Sequence, residues 1–179
     1  IEADKTLTVS RPVTIVGQDQ LRTIRFEKID GMEIVNAGTV KFENVKIEVT
    51  GQEEGWQGLY ALQAYGESAV TLKDVTATGA DAGILVNGAE VTLEGVVDVS
   101  GNEFGGIEVS KGALATTTPK LKGSVSNLKN DSEASTGKPT IWIDKVSELT
   151  SAVVEITGLN EVSKDNDQLY FFIGEAPID

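Results

Sequence analysis

The sequence predicts an all-β fold built as a solenoid of stacked repeats, and three observations lead there. The first is self-similarity: NAGTVKFENVKIEVTG (residues 36–51), GESAVTLKDVTATG (66–79) and NGAEVTLEGVVDVSG (87–101) align without gaps over a Val-x-apolar-x-x-Val core. Sequence that repeats at a fixed interval of about 20 to 50 residues marks an array of stacked units. The second is alternation. Val40, Val70 and Val91, followed by Phe42, Leu72 and Leu93, are each spaced by one polar residue, the period of a strand with one buried face. The third is the residue that follows the core: Asn44, Asp74 or Gly95, the types that adopt a left-handed backbone most cheaply. Each is read as a one-residue corner turn leading into Val45, Val75 or Val96.

Taken in chain order, IEADKTLTVS (1–10) supplies a first repeat or part of a cap. Between Val40 and Val70 the interval is 30 residues, against 21 between Val70 and Val91. The extra length is EEGWQGLYALQAYG (53–66), which gathers Trp56, Tyr60 and Tyr65. An insertion beside a regular array emerges as a loop, where binding surfaces concentrate. A second recurring strand, GILVNGAEV (83–91), is echoed by GIEVSKGAL (106–114), so a complete turn reads as three short strands. Residues 123–138, GSVSNLKNDSEASTGK, have loop chemistry throughout and are read as an excursion. Trp142 alternates with Ile141 and Ile143, which makes it either an exposed platform or the inner member of an irregular turn. KVSELTSAVVEI (145–156) suits either a helix or a degenerate repeat, and DQLYFFIGEAPID (167–179) is apolar enough to close the core. The division is a single domain, 1–179: regular repeats in 1–122, the excursion in 123–138, and irregular repeats or a C-terminal cap in 139–179. An antiparallel sandwich is the rival, but its strands do not normally repeat in register.

Composition removes several functions. The 179-residue chain has a net charge of −13, which repels phosphate backbones and anionic lipid, so neither nucleic-acid binding nor membrane insertion is expected. No apolar run approaches the ~20 residues that cross a bilayer. There is no cysteine, hence no disulfide or thiol nucleophile, and no histidine, hence no His-dependent triad and few routes to zinc. The scarcity of oxidisable side chains suits an exported protein. The start, Ile1-Glu2-Ala3, has neither a methionine nor a signal-peptide pattern, so the chain is expected to be a piece of something longer.

Carboxylates and lysines remain as chemical groups. Glu43, Lys73 and Glu94 hold equivalent outward positions and predict a charge ladder on an exposed face. A lyase would need aspartates holding calcium beside an Arg or Lys, yet Arg11, Arg22 and Arg25 lie far in sequence from Asp74, Asp81 and Asp98. A glycosidase would need two carboxylates roughly 5 to 9.5 Å apart, which 28 acidic residues make easy to imagine and hard to locate. SKDNDQ (163–168) and KNDSEAS (129–135) are calcium-compatible in composition but lack the EF-hand pattern, and read as solvated turns. No cofactor is expected, calcium being the one ion the composition would suit.

TLTVSRPVTIVG (6–17), followed by NVKI, DVTA and VNGAEVTL, resembles the right-handed parallel β-helix of the pectate-lyase-like superfamily. The likeness covers residues 1–115 and is greatest to the adhesive, non-catalytic modules of large bacterial surface proteins. It implies a right-handed, single-stranded β-helix of about seven coils, a rod on the order of 35 Å long. Its ends would need caps or further coils. By the same resemblance the chain is expected at the cell surface or outside the cell, as a monomeric scaffold or adhesion module. Trp56, Tyr60, Tyr65 and Trp142 would then face a glycan or a cell-surface protein. The alternative on the same fold is a polysaccharide lyase or glycoside hydrolase.

Overall fold

A computed structural model describes residues 1–112, 115–131, 138–144 and 152–158, and the backbone alone of 171–174. Among these residues the regular structure is all β, arranged as two sheets. One sheet has eight strands: β1 (Glu2–Ala3), β4 (Arg22–Glu27), β6 (Gly38–Thr50), β8 (Ser68–Thr78), β10 (Glu90–Asp98), β12 (Lys120–Lys129) and β14 (Val153–Thr157) in that spatial order, with β3 (Val13–Val16) also paired to β6. The other has seven: β2 (Leu7–Val9), β5 (Met32–Val35), β7 (Tyr60–Tyr65), β9 (Ala82–Asn87), β11 (Gly105–Ser110), β13 (Ile141–Asp144) and β15 (Phe171–Gly174). Among the described residues every strand pairing is parallel, spatial order follows chain order, and from β4 onward successive strands alternate between the sheets.

Register places like on like. Val40, Val70, Val91 and Leu121 are successive partners, as are Phe42, Leu72 and Leu93. In the seven-stranded sheet Met32, Leu62, Ile84, Ile107 and Ile141 form one row, and Ile34, Ala64, Val86 and Val109 another. Side chains from both sheets join in one buried apolar cluster. Each fully buried Val, Leu, Ile or Phe contributes about 1.5–3 kcal/mol, so this repeating core dominates the stability.

Asn44, Asp74 and Gly95 have φ of 56°, 53° and 66°, all left-handed, and each lies inside a continuous strand. The expected three strands per turn therefore resolve into two, the second and third being halves of one long strand. Only the first repeat keeps them apart. There β3 pairs with residues 40–43 of β6 and β4 with residues 45–50.

Two expectations are corrected. Val96 does not occupy the place of Val45 and Val75: the register steps from Glu94↔Lys73 to Val97↔Val75, so Gly95 and Val96 together stand opposite Asp74. The extra residue is a β-bulge, and it leaves Val96 38% exposed while Val97 is fully buried. Residues 123–129 are not part of a loop excursion; they complete β12. A second register shift, opposite Gly95 and Val96, spaces the buried Val125 and Leu128 three apart and so disguises the two-residue alternation.

Of the candidate helix at 145–156, residues 153–156 lie in β14 and 145–151 fall outside the described residues. The calcium-compatible stretch 163–168, and 132–135 of the other, also fall outside them. At the C-terminal end the backbone of β15 pairs with β13 and extends the seven-stranded sheet.

Candidate functional site

Strand alternation sends Ile84, Ile107 and Ile141 inward and puts Leu85, Glu108 and Trp142 in one register row on the outer face of the seven-stranded sheet. An outer face is ordinarily wet, yet these side chains and those of Tyr60 and Gln63 are buried. Of the insertion expected as a loop at 53–66, residues 60–65 are instead strand β7 of this sheet, and the loop is the stretch before it, residues 51–59, which lies against these side chains. Trp56 packs edge-on against Tyr60, with ring centroids 5.9 Å apart, and against Phe104 at 5.4 Å. Asp81, itself buried, ties the insertion down: its Oδ2 accepts the backbone N–H of Gln57 and of Leu59 at 2.8 Å each, and its Oδ1 accepts from Gln52 Nε2.

All four aromatic residues singled out in the sequence belong to this one cluster. Tyr60 and Trp142 pack with Ala82 and Leu85, and Trp56 and Tyr65 rest against them half-buried. Trp142 is 0% exposed, which overturns its reading as an exposed platform; it packs on the covered outer face of the sheet, outside the main core. Its indole Nε1–H has no hydrogen-bond partner. Of the four, Trp56 and Tyr65 are left as the aromatic side chains that a ligand can reach from solvent.

The polar centre is a pair that sequence reading did not find. Tyr60 is in register with Ala82, whose methyl group leaves room for the ring to cross β9. Its hydroxyl donates to Glu108 Oε2 at 2.6 Å. Burial pushes the Glu108 carboxyl up to about 7; the Tyr60 hydrogen bond opposes the rise and the nearby Asp144 adds to it. Burial also raises Tyr60, helped by the charge of Glu108, and takes Tyr65 up to about 12. Asp30, whose Oδ1 accepts the Tyr60 backbone N–H at 2.9 Å, is raised by burial too.

Charge is divided between the sheets. The strands of the eight-stranded sheet carry eight Lys and Arg and nine Asp and Glu. Those of the seven-stranded sheet carry no Lys or Arg, and three acids: Glu33, Glu108 and Asp144. On the first, the predicted ladder of Glu43, Lys73 and Glu94 is in register, and its first rung is an ion pair: Glu43 pairs with Lys73 at 2.8 Å and also with Lys41 at 2.9 Å, and these hydrogen bonds hold its carboxyl down at about 2. Arg25 bridges Glu48 at 2.7 Å and Glu2 at 2.8 Å. Among the described residues no three acidic side chains converge closely enough to hold a metal ion.

The corner residues have a second task. Asp74 Oδ1 accepts the backbone N–H of Val96 in the next repeat at 2.9 Å, and at another bend Asn36 Oδ1 accepts that of Glu67 at 3.0 Å. Comparison with protein families, curated proteins and solved structures finds no match to this chain, so its function is argued from the geometry above.

Proposed function

We propose that the chain is a right-handed parallel β-helix of about seven coils, a non-catalytic scaffold or adhesion module of an extracellular surface protein, which offers loops and sheet faces to a glycan or protein partner. The observation that carries this reading is the residue-for-residue stacking of Val40, Val70, Val91 and Leu121 in a sheet whose spatial order follows the chain. A regular stack of this kind supplies length, stiffness and a repeated surface. Handedness follows from the strong preference of parallel crossovers for the right-handed path. The ion pairs on the eight-stranded sheet engage one another, which suits a solvated wall, while on the seven-stranded sheet Trp56 of the insertion and Tyr65 of β7 offer half-buried rings. Stacking on a sugar ring or anchoring a protein partner is the chemistry those rings supply.

The test is retention on a glycan array and on immobilised cell-surface protein. Trp56→Ala with Tyr65→Ala is expected to lower retention about tenfold or more, the loss of a central aromatic anchor, while Glu108→Gln, compared at about pH 5 where the wild-type carboxyl also holds its proton, leaves it unchanged. Unaltered binding by the double variant would refute the aromatic patch as the contact.

One observation favours a second reading, a glycoside hydrolase. Glu108 keeps its proton to about pH 7, as a general acid must, and Asp144 lies close enough to influence it. Release of reducing ends from a polysaccharide, abolished by Glu108→Gln, would establish that reading and displace the first.

A further inference from the structure

We propose that the Tyr60–Glu108 hydrogen bond is a proton-operated latch that holds the Trp56 insertion, residues 51–59, closed over the seven-stranded sheet. The latch does not depend on which partner the module binds, or on whether it binds one.

The geometry links the insertion to the carboxyl in a short chain of contacts. Trp56 leans on Tyr60; Tyr60 crosses β9 and donates to Glu108 on β11; Glu108 is 6% exposed. The groups facing the carboxyl from neighbouring elements are Tyr60 and Tyr65 of β7 and Asp144 of β13, while β9 contributes the uncharged Leu85 beside it. Beyond Tyr65 lie two more acids, Asp30 and Glu33. Among the described residues these neighbours add negative charge or none, and no strand of this sheet carries a Lys or Arg.

The direction follows from that environment. With its proton, Glu108 is neutral, accepts the tyrosine hydroxyl and tolerates the cover. Without it, a carboxylate is held away from water next to Asp144, and the state that rehydrates it is the one in which Tyr60 and Trp56 lift. Burial raises the carboxyl from its ordinary 4.5 to about 7, so closure is favoured in mild acid and loosens as pH rises through neutrality. Asp81 tethers the insertion at Gln52, Gln57 and Leu59, so the motion is a local lifting of residues 53–56, Trp56 included, between fixed points.

Acrylamide quenching of Trp56 fluorescence reads the latch directly, with the signal of Trp142 obtained from a Trp56→Phe protein and subtracted. Between about pH 5 and about pH 8.5 the quenching constant of the wild type is expected to rise about twofold or more. Glu108→Gln, which mimics the protonated group, is expected to stay at the acid value across the range. Tyr60→Phe keeps the cover over Glu108 but removes the hydrogen bond that favours the carboxylate, so its rise in quenching is expected at a higher pH than in the wild type. A wild type whose quenching is flat with pH overturns the latch, and so does a Tyr60→Phe protein that keeps the wild-type response. The second comparison decides the matter even if Glu108→Gln fails to fold.

Discussion

Gly95 shows how much of this molecule is decided by single backbone positions. Its φ of 66° is a conformation that side chains other than Asn and Asp rarely adopt, and a Cβ there would collide with the Asp74 carboxylate oxygen that accepts the Val96 N–H. Gly95→Ala is therefore expected to lower unfolding free energy by about 1–3 kcal/mol, measurable by urea denaturation with an unchanged m-value. A loss well under that range would mean that the corner relaxes without strain. The corner was legible in the sequence because Asn, Asp and Gly recur at one position of the repeat. The bulge after it was not, because Val96 and Val97 are identical side chains and only the register shows which of them goes inside.

The elements were legible in proportion to their regularity. β6, β8 and β10 announce themselves through alternating apolar residues, whereas β12 hides behind Ser, Asn and Gly, its buried Val125 and Leu128 out of phase. The insertion was visible as extra length, but its fastening was not. Glu108 sits in an Ile-Glu-Val alternation no different from Met32-Glu33-Ile34, and what buries it is a tyrosine 48 residues away. Asp81 likewise reads as an ordinary turn aspartate, yet it gathers two backbone donors and a side-chain amide. Replacing it with asparagine turns one of its acceptor atoms into a donor facing donors. Asp81→Asn is expected to cost about 2–3 kcal/mol and to expose the 51–59 insertion to limited proteolysis. If cleavage there is no faster than in the wild type, Asp81 is not the tether.

At the scale of the whole molecule, opposing titrations set a stability maximum in mild acid. Glu108 and Asp30 are raised on folding, so their contribution is complete below the ordinary carboxylate values and is lost as pH climbs, for Glu108 through about 7. Glu43 and Glu48 are lowered, by Lys73 and Lys46 first, so their contribution is present above about 4.5 and is lost as pH falls, for Glu43 through about 2. Surface pairs of this kind are weak and screened by salt, so the acid limb should be shallow and should flatten further in high salt. The alkaline limb is reinforced by mutual repulsion within a chain of net charge −13 at pH 7. Calorimetry is expected to place the highest melting temperature near pH 4.5 to 5, the window these two sets of shifts define. Glu108→Gln should shrink the fall between there and about pH 8. A melting temperature that rises steadily through pH 7 would contradict this balance.

The division of cations between the two sheets has one more consequence, for how the molecule meets a charged boundary. One wall of the apolar core carries nearly balanced charge, while the other carries acids with no compensating base on its strands. On their strands, then, the eight-stranded wall offers an approaching charged partner ion pairs to exchange, and the seven-stranded wall offers it no cation at all.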